Sequence, residues 1–322
     1  MDNMILQDIE EIINDYPLIP YKGCKLYPQD KIKDYLANDL KDVIEKKKTE
    51  VFFGPQKSEV AVLHDLPWDT DLFGVKMGKI SHLIYKESSS KNSDLLGKMV
   101  NAVCVNAKEK GLEHLSCVID PRAMHLAEAF EKNGFFLKGV LVDYYIQLKN
   151  FDLTKFPSTI KIFPAIEKDI DKIAEIAHES FSREEDWYDR FHADTFFSKE
   201  KSDLLYKEWL LNSFRGDQAD CVLAAVEDDE PVGFITLKLE KDKTPFFQLK
   251  YGNVPLNAVS RKHQKKGIYK SLVAAGLQWF KDQGVDVVSV RTQSSTIAVQ
   301  KVWQRLGAEV AFYHLAFHKS FK

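Results

Sequence analysis

Apolar residues recur along this chain with two different periods, and the switches between them lay out its architecture. Ile5, Ile9, Ile12 and Ile13 are spaced as one face of a helix, and a second helical pattern covers Lys31 to Lys48. From Glu59 the period shortens: EVAVLHDLPWDTDLFGVKMGKISHLIY reads as two strands around a turn-rich LPWDTDLFG. The polar loop KESSSKNSD leads into a helix from Asp94 to Lys110, which Gly111 stops. The strand LEHLSCVID, a helix from Arg122 to Lys132 and a strand from Phe135 to Leu148 complete this half.

A polar, proline-ended stretch from Asn150 to Pro157 reads as the connection between domains, giving residues 1–150 and 151–322. Beyond it, Ile166, Ile170, Ile173, Ile176 and Ala177 mark an amphipathic helix. The next stretch is rich in aromatic and charged residues and holds a helix from Glu200 to Ser213 that turns Leu205 and Trp209 inward. Trp187, Tyr188, Phe191, Phe196 and Phe197 suit packing under a lid; beside Arg190, His192 and Asp194 they also suit the wall of a sugar or base pocket. The strands CVLAAVE and PVGFITLKLEK flank a hairpin turn at Asp228 to Pro231, and a short strand ends at Val259. A helix, the doubly buried strand VDVVSVRT, a helix from about Thr296 to Leu306 and a last strand follow. The succession of the first half thus recurs in the second. The predicted fold is α/β, two diverged copies of one plan with mixed twisted sheets flanked by helices.

Only the second copy carries a loop fit for a phosphate. LNAVSRKHQKKGIYK runs from strand through a cationic loop into a helix, whose first N–H groups lack intrahelical partners and face the loop. Arg261, Lys262, Lys265, Lys266 and Lys270 add positive charge, and Gly267 lets the main chain approach an anion closely. Neither G-x-G-x-x-G nor G-x-x-x-x-G-K-[ST] is present. At the equivalent point the first copy has an acidic, serine-rich loop with no glycine before Gly97, so residues 1–150 are expected to serve structure or the acceptor side.

Composition narrows the class. The 322 residues are 44 % hydrophobic and 29 % charged, as in a soluble globular protein, and the net charge of −3 argues against a bulk-electrostatic nucleic-acid binder. Cys24, Cys104, Cys117 and Cys221 are scattered without a C-x-x-C pair, which predicts reduced core thiols and no metal. The acidic N-terminus and the lack of a long apolar run predict no membrane partner and a cytoplasmic location.

Gln264-x-x-Gly267-x-Tyr269 resembles the [Arg/Gln]-x-x-Gly-x-[Gly/Ala] loop of the GNAT acetyltransferase superfamily, with Tyr269 in place of a small residue. WDTDLFG at 68–74, DRFHAD at 189–194, LLYKEWLLNS at 204–213, VRTQ at 290–293 and the terminal FH at 317–318 resemble, more narrowly, the acetyltransferases of dTDP-4-amino-4,6-dideoxygalactose (dTDP-fucosamine). The resemblance implies transfer of acetyl from acetyl-CoA to an amine within a ternary complex, with a dTDP-linked amino-deoxysugar as acceptor, for surface polysaccharide synthesis. It implies that residues 151–322 form a complete acetyl-CoA-binding domain. Pantetheine would lie between Leu256, Asn257, Ala258, Val259 and the strand Val287 to Thr292. The pyrophosphate would sit on Gln264, Lys265, Lys266, Gly267, Ile268, Tyr269 and Lys270. Arg190, Asp194, Tyr206 and Trp209 are the expected acceptor residues. The family's helix-borne Asn-x-x-Ala begins here with Ser295 ahead of Ala298, and Trp303 stands where the family has a tyrosine that protonates the CoA thiolate. An indole lacks usable acidity, so Tyr313 or water takes that role, with His314 and His318 in a proton chain. Another amine acceptor, a CoA-binding regulator without turnover, and a homodimer remain open at this point.

Overall fold

The computed structural model describes residues 3–21, 24, 27–46, 49–54, 56–158, 160–182 and 189–321. The chain folds into two units. One comprises Met1–Leu141, Asp189–Phe196 and Tyr313–Lys322; the other comprises Val142–Tyr188 and Phe197–Phe312. The division between these compact units falls inside a strand, between Leu141 and Val142, and two later segments return to the first unit.

The first unit contains α1 (Asn3–Asn14), α2 (Gln29–Lys46), β1 (Thr49–Phe53), β2 (Glu59–Asp65), α3 (Pro67–Phe73), β3 (Met77–Tyr85), α4 (Ser93–Glu109), β4 (His114–Ile119), α5 (Met124–Lys132) and the start of β5 (Phe136–Gln147). LPWDTDLFG, read from sequence as turn-rich, winds into α3. Proline sits at the first helical positions, where its missing N–H costs nothing, and Gly74 closes the helix at φ +71°. The strand order is β1-β2-β3-β4, continued by the end of the last strand, β12 (Glu309–Ser320). The β3–β4 pair is parallel; β1–β2, β2–β3 and β4–β12 are antiparallel. Leu96, Val100, Val103 and Phe130 from the helices bury against Ala61, Ile80 and Leu115 of the sheet. Each such side chain contributes about 1.5–3 kcal/mol.

The second unit holds β6 (Lys161–Pro164), α6 (Ile170–Phe181), α7 (Lys199–Phe214), β7 (Cys221–Glu227), β8 (Glu230–Glu240), α8 (Thr244–Phe247), β9 (Tyr251–Val254), β10 (Asn257–Val259), α9 (Ile268–Asp282), β11 (Val287–Gln293) and α10 (Ile297–Arg305). Its strand order is the end of β5, then β11-β9-β8-β7-β6, with β10 paired to β8. Only β9–β11 among the registered pairs of this unit is parallel. Leu272, Leu277 and Phe280 of α9 fill the core with Ile235, Leu237 and Val288. Ile173, Ile176 and Ala177 are buried as the periodicity of α6 predicts, whereas Ile166 precedes that helix and is 56 % exposed. The short edge strand β6, which the polar connection concealed in the sequence, pairs with β7.

Candidate functional site

Two parallel strands of the second unit part company. β9 and β11 pair from Tyr251–Val287 to Val254–Val290, and there the pairing ends. β11 runs on to Gln293, while the other strand breaks at Pro255 and resumes as β10 on β8 alone. Thr236, fully buried, holds the break: its hydroxyl donates to Leu256 O at 2.9 Å and accepts from Leu256 N–H at 2.9 Å, and its own N–H donates to Leu256 O at 2.8 Å. Gly233 lets β10 lie close, since a Cβ there would meet Ala258 O at 3.0 Å. Sequence reading missed Thr236, which looks like any polar residue in a strand.

Hydrogen-bond alternation decides which groups of β10 face the opening. Leu256 O accepts from Thr236 and Ser260 N–H donates to Val232 O, so Leu256, Ala258 and Ser260 aim their backbone at β8. Asn257 and Val259 therefore aim their N–H groups away from β8, into the gap. Val259 O on that side takes hydrogen bonds from Gln264 Nε2 at 3.2 Å and Ser180 Oγ at 3.4 Å. Ala258 N–H, counted from sequence with Asn257 as a donor to a ligand, is committed to the sheet.

The loop beyond β10 is built for an anion. A tight turn at Arg261–His263 leads to Lys265 at φ +64° and Gly267 at φ +83°, both left-handed. Gly267 is the N-cap of α9, and no side chain caps the helix. The first intrahelical bond runs from Ser271 N–H to Gly267 O at 3.1 Å, so the N–H groups of Ile268, Tyr269 and Lys270 point out of the helix end. A Cβ at Gly267 would be strained, and an uncapped helix start on a cationic loop fits a pyrophosphate. Lys262, Lys265 and Lys266 are exposed. Glu227 neutralises part of the cluster, lying 3.2 Å from His263 Nε2 and 3.4 Å from Lys266 Nζ, while Arg261 Nη2 donates to Ser182 O at 3.0 Å.

Two of the three departures from the family pattern meet in space. Trp303, wholly buried, donates its indole N–H to the phenolic oxygen of Tyr269 at 3.1 Å. Trp303 is thus a core residue, and its one polar atom serves Tyr269. Burial pushes the Tyr269 phenol well above its ordinary range, against the lowering effect of that hydrogen bond, so it keeps its proton. Ser295 is exposed in the turn between β11 and α10. At the end of β11 the Arg291 guanidinium forks onto buried Asp143, with Nε–Oδ1 at 2.6 Å and Nη2–Oδ2 at 2.8 Å.

The motifs WDTDLFG, DRFHAD and FH assemble in the first unit. Phe73 stacks on Phe191 at 5.6 Å, and the Arg190 guanidinium lies 4.6 Å over the Phe191 ring. Asp189 ties its own loop, accepting from Phe191 N–H at 2.6 Å, His192 N–H at 3.0 Å and His192 Nδ1 at 2.7 Å. Burial raises the Asp69 carboxyl, opposed by nearby Arg190. Asp194 is 6 % exposed, and its Oδ2 meets His114 Nε2 at 3.1 Å and His318 Nδ1 at 2.9 Å. Burial disfavours its charge, but the two histidine hydrogen bonds outweigh that and hold it well below the usual carboxylate range. His318 is pushed down to about 4 by burial and is neutral at pH 7. Asp194 is therefore buried and engaged with His114 and His318.

Of the other expected acceptor residues, Tyr206 stacks between Phe181, at 4.2 Å, and the half-buried Trp209, at 6.3 Å, in the second unit. Tyr313 is 43 % exposed and His314 half-buried, consecutive on the part of β12 that belongs to the first unit. Trp187 and Tyr188 lie outside the described residues. All four cysteines are free, and burial pushes Cys117 up to about 12. The expectation of no metal rested on those cysteines; the side chains that do converge are two histidines and a carboxylate. Among the described residues, no helix is long and apolar enough to cross a membrane.

Residues 178–308 match the model of the acetyltransferase (GNAT) family. No curated protein matches the chain. Among solved structures, a GCN5-related N-acetyltransferase from Sphaerobacter thermophilus is similar at a TM-score of 0.60 and 14 % identity, over 89 % of this chain and 85 % of that one. A glucosamine N-acetyltransferase region of a fungal multi-domain β-N-acetylglucosaminidase is similar at 0.63 and 13 % identity, over 99 % of this chain but 37 % of that one. A tandem GNAT protein from the clavulanic acid biosynthesis pathway is similar at 0.53 and 11 % identity, over 99 % and 95 %. Such identities show a shared fold, and the last match extends it to both halves.

Proposed function

We propose that this chain, whose residues 178–308 match the acetyltransferase (GNAT) family, is an N-acetyltransferase that acetylates the amine of a nucleotide-linked amino-deoxysugar, of the dTDP-amino-sugar class, with acetyl-CoA held between β10 and β11. The observation that carries the cofactor assignment is the gap that opens after Val254–Val290, facing the N–H groups of Asn257 and Val259 and ending at the uncapped start of α9. Lys265 to Lys270 supply backbone N–H groups and charge for the pyrophosphate, and Gln264 braces the loop through Val259 O. Asn257 or Val259 donates to the thioester oxygen, where negative charge grows as the amine attacks. Bound acetyl-CoA supplies the thioester, whose carbon–sulfur bond breaks as the carbon–nitrogen bond forms.

The acceptor amine arrives neutral and loses one proton in the transfer, to water. The thiolate, with a reference pKa of about 8.5, leaves without an acid of tyrosine strength. Tyr269, with its phenol raised by burial, keeps its proton and accepts the indole N–H of Trp303. The acceptor class is supported by the meeting of WDTDLFG, DRFHAD and FH in one unit, where Arg190 lies over Phe191. Tyr206 and Trp209, in the same unit as the cleft, remain the acceptor residues of this reading. The test is release of CoA from acetyl-CoA with a panel of dTDP-amino sugars, their free amino sugars and simple amines. Turnover that requires the nucleotide supports the reading, and equal turnover of simple amines overturns it.

A further inference from the structure

The first unit brings three metal-ligand side chains to one point, far along the sequence from one another and outside the acetyl-CoA cleft just described. β4 and the end of β12 run antiparallel with His318 opposite Ser116 and His114 opposite Ser320. The two histidines are therefore diagonal neighbours on one face of the sheet. Asp194, from the segment 189–196, comes over that face and directs a single oxygen, Oδ2, at His114 Nε2 (3.1 Å) and His318 Nδ1 (2.9 Å). Its other oxygen is held aside by Phe196 N–H at 3.2 Å and by Lys138 Nζ at 3.4 Å. All three residues are buried, and the three ligand atoms lie within 4.8 Å of one another. Phe196 stacks on the His114 ring at 5.6 Å, and Phe191 lies 6.0 Å from the His318 ring.

We propose that His114, Asp194 and His318 form a binding site for a divalent transition-metal ion that fastens the segment 189–196 onto β4 and β12. Ligand atoms about 2.0–2.2 Å from one ion stand about 2.8–3.6 Å apart at octahedral to tetrahedral angles, and the two oxygen–nitrogen separations here, 3.1 and 2.9 Å, fall at the short end of that range. Two imidazole nitrogens and one carboxylate oxygen suit Zn²⁺ or Co²⁺ and do not suit Mg²⁺ or Ca²⁺, which want an oxygen shell. The carboxylate is already oriented for monodentate binding, with Phe196 N–H and Lys138 as the outer partners that fix its second oxygen. The segment so fastened carries Arg190 and Phe191, so the ion stabilises the part of the chain that holds the DRFHAD motif. A hydrogen-bonded His–Asp–His cluster with no ion accounts for the same separations, and the experiment distinguishes the two.

The full-length chain, stripped with EDTA and dialysed, is titrated with Zn²⁺ by calorimetry and with Co²⁺ by visible absorption, and its melting temperature is recorded with and without Zn²⁺. The expected result is one ion per chain, a higher melting temperature with Zn²⁺, and a Co²⁺ spectrum without a thiolate charge-transfer band. His318→Gln and Asp194→Asn, each checked for retained CoA binding by the other unit, are expected to weaken Zn²⁺ at least about 100-fold. Absence of stoichiometric Zn²⁺ binding by the wild-type chain overturns the proposal whether or not the variants fold, and leaves the ion-free cluster. A thiolate band in the Co²⁺ spectrum, or unchanged Zn²⁺ affinity in both variants, overturns it equally.

Discussion

The chain contains one cleft design twice, and the two versions differ in what occupies them. In the first unit β3 and β4 pair in parallel from Met77–His114 to Ile80–Cys117 and then part, with a bulge in β3 opposite Val62/Leu63. In the second unit β9 and β11 part after Val254–Val290. The first opening is crossed by the chain itself. Asp15 O accepts from Glu87 N–H just beyond β3 at 3.1 Å, Tyr16 sets its ring edge-on to Tyr85 at 5.3 Å, and Ile19 O accepts from Arg122 just beyond β4 at 3.0 Å. Arg122 is itself held by Asp120, with its Nε 3.0 Å from Oδ1. Burial drives the Tyr16 phenol far above its ordinary range. The loop that follows β3 presents Glu87, and α4 is capped by the Asn92 side chain, which accepts from Leu95 N–H at 3.0 Å. At α9 the corresponding helix end has Gly267 and no side-chain cap. The first opening thus differs from the second in two respects: a side chain caps its helix, and the polypeptide crosses its mouth.

The largest expected effect comes from making the second cleft like the first. Gly267→Val places a β-branched side chain at φ +83° and crowds the N–H groups of α9. Acetyl-CoA affinity is expected to fall by at least about 100-fold, equivalent to about 2.7 kcal/mol, in a chain that still folds. Calorimetry with unchanged affinity would sink the loop assignment.

Thr236→Val attacks the parting of the strands rather than the loop. It leaves Leu256 N–H without its 2.9 Å acceptor in the interior, at a cost of about 1–3 kcal/mol. Denaturant unfolding should show that loss, and acetyl-CoA should bind several-fold more weakly because Asn257 and Val259 are no longer held in place. Loss of stability without any change in affinity would show that Thr236 serves the core alone.

Emptying the first cleft sharpens the comparison from the other side. Tyr16→Ala removes a half-buried ring and is expected to destabilise the chain by about 2–3 kcal/mol. CoA should still bind with a stoichiometry of one, because the Asn92-capped α4 and Glu87 give a pyrophosphate nothing to hold. A stoichiometry of two in calorimetry would mean that the N-terminal segment alone closes that site.

The smallest effect is expected at the Tyr269–Trp303 pair, for which the first cleft has no equivalent. Tyr269→Phe unpairs the buried indole N–H, lowering stability by about 1–3 kcal/mol. The maximal rate with the best acceptor should fall by less than about tenfold, with acetyl-CoA affinity nearly unchanged, since the phenol keeps its proton and is engaged with Trp303. A fall of about 10³-fold or more would identify Tyr269 as an obligatory acid. Trp303→Tyr cannot reproduce the indole's reach and volume in a wholly buried position, so an increase in turnover from that change would contradict the core role of Trp303.

Local signals in the chain determine much of this protein. The periods of α4, α6 and α9, the left-handed Gly267 after a strand, and the serine-rich loop in its place in the first copy depend on residues close in sequence, where sterics and periodicity act. Those signals suffice to name the α/β plan, its repetition and a loop fit for a phosphate. What they cannot carry is pairing between distant residues. Thr236 becomes a clamp only because Leu256 is brought against it across β8. Ala258 is lost as a donor, and Val259 gained, only once the register of β10 on β8 is known. Trp303 is a departure from a pattern until α10 packs it beside Tyr269, and Tyr16 is an ordinary residue after a helix until it lies on Tyr85. Asp194 stands 80 residues from His114 and 124 from His318 along the chain, and no local pattern links the three. Their meeting follows from sheet register and loop closure, which are properties of the whole folded chain.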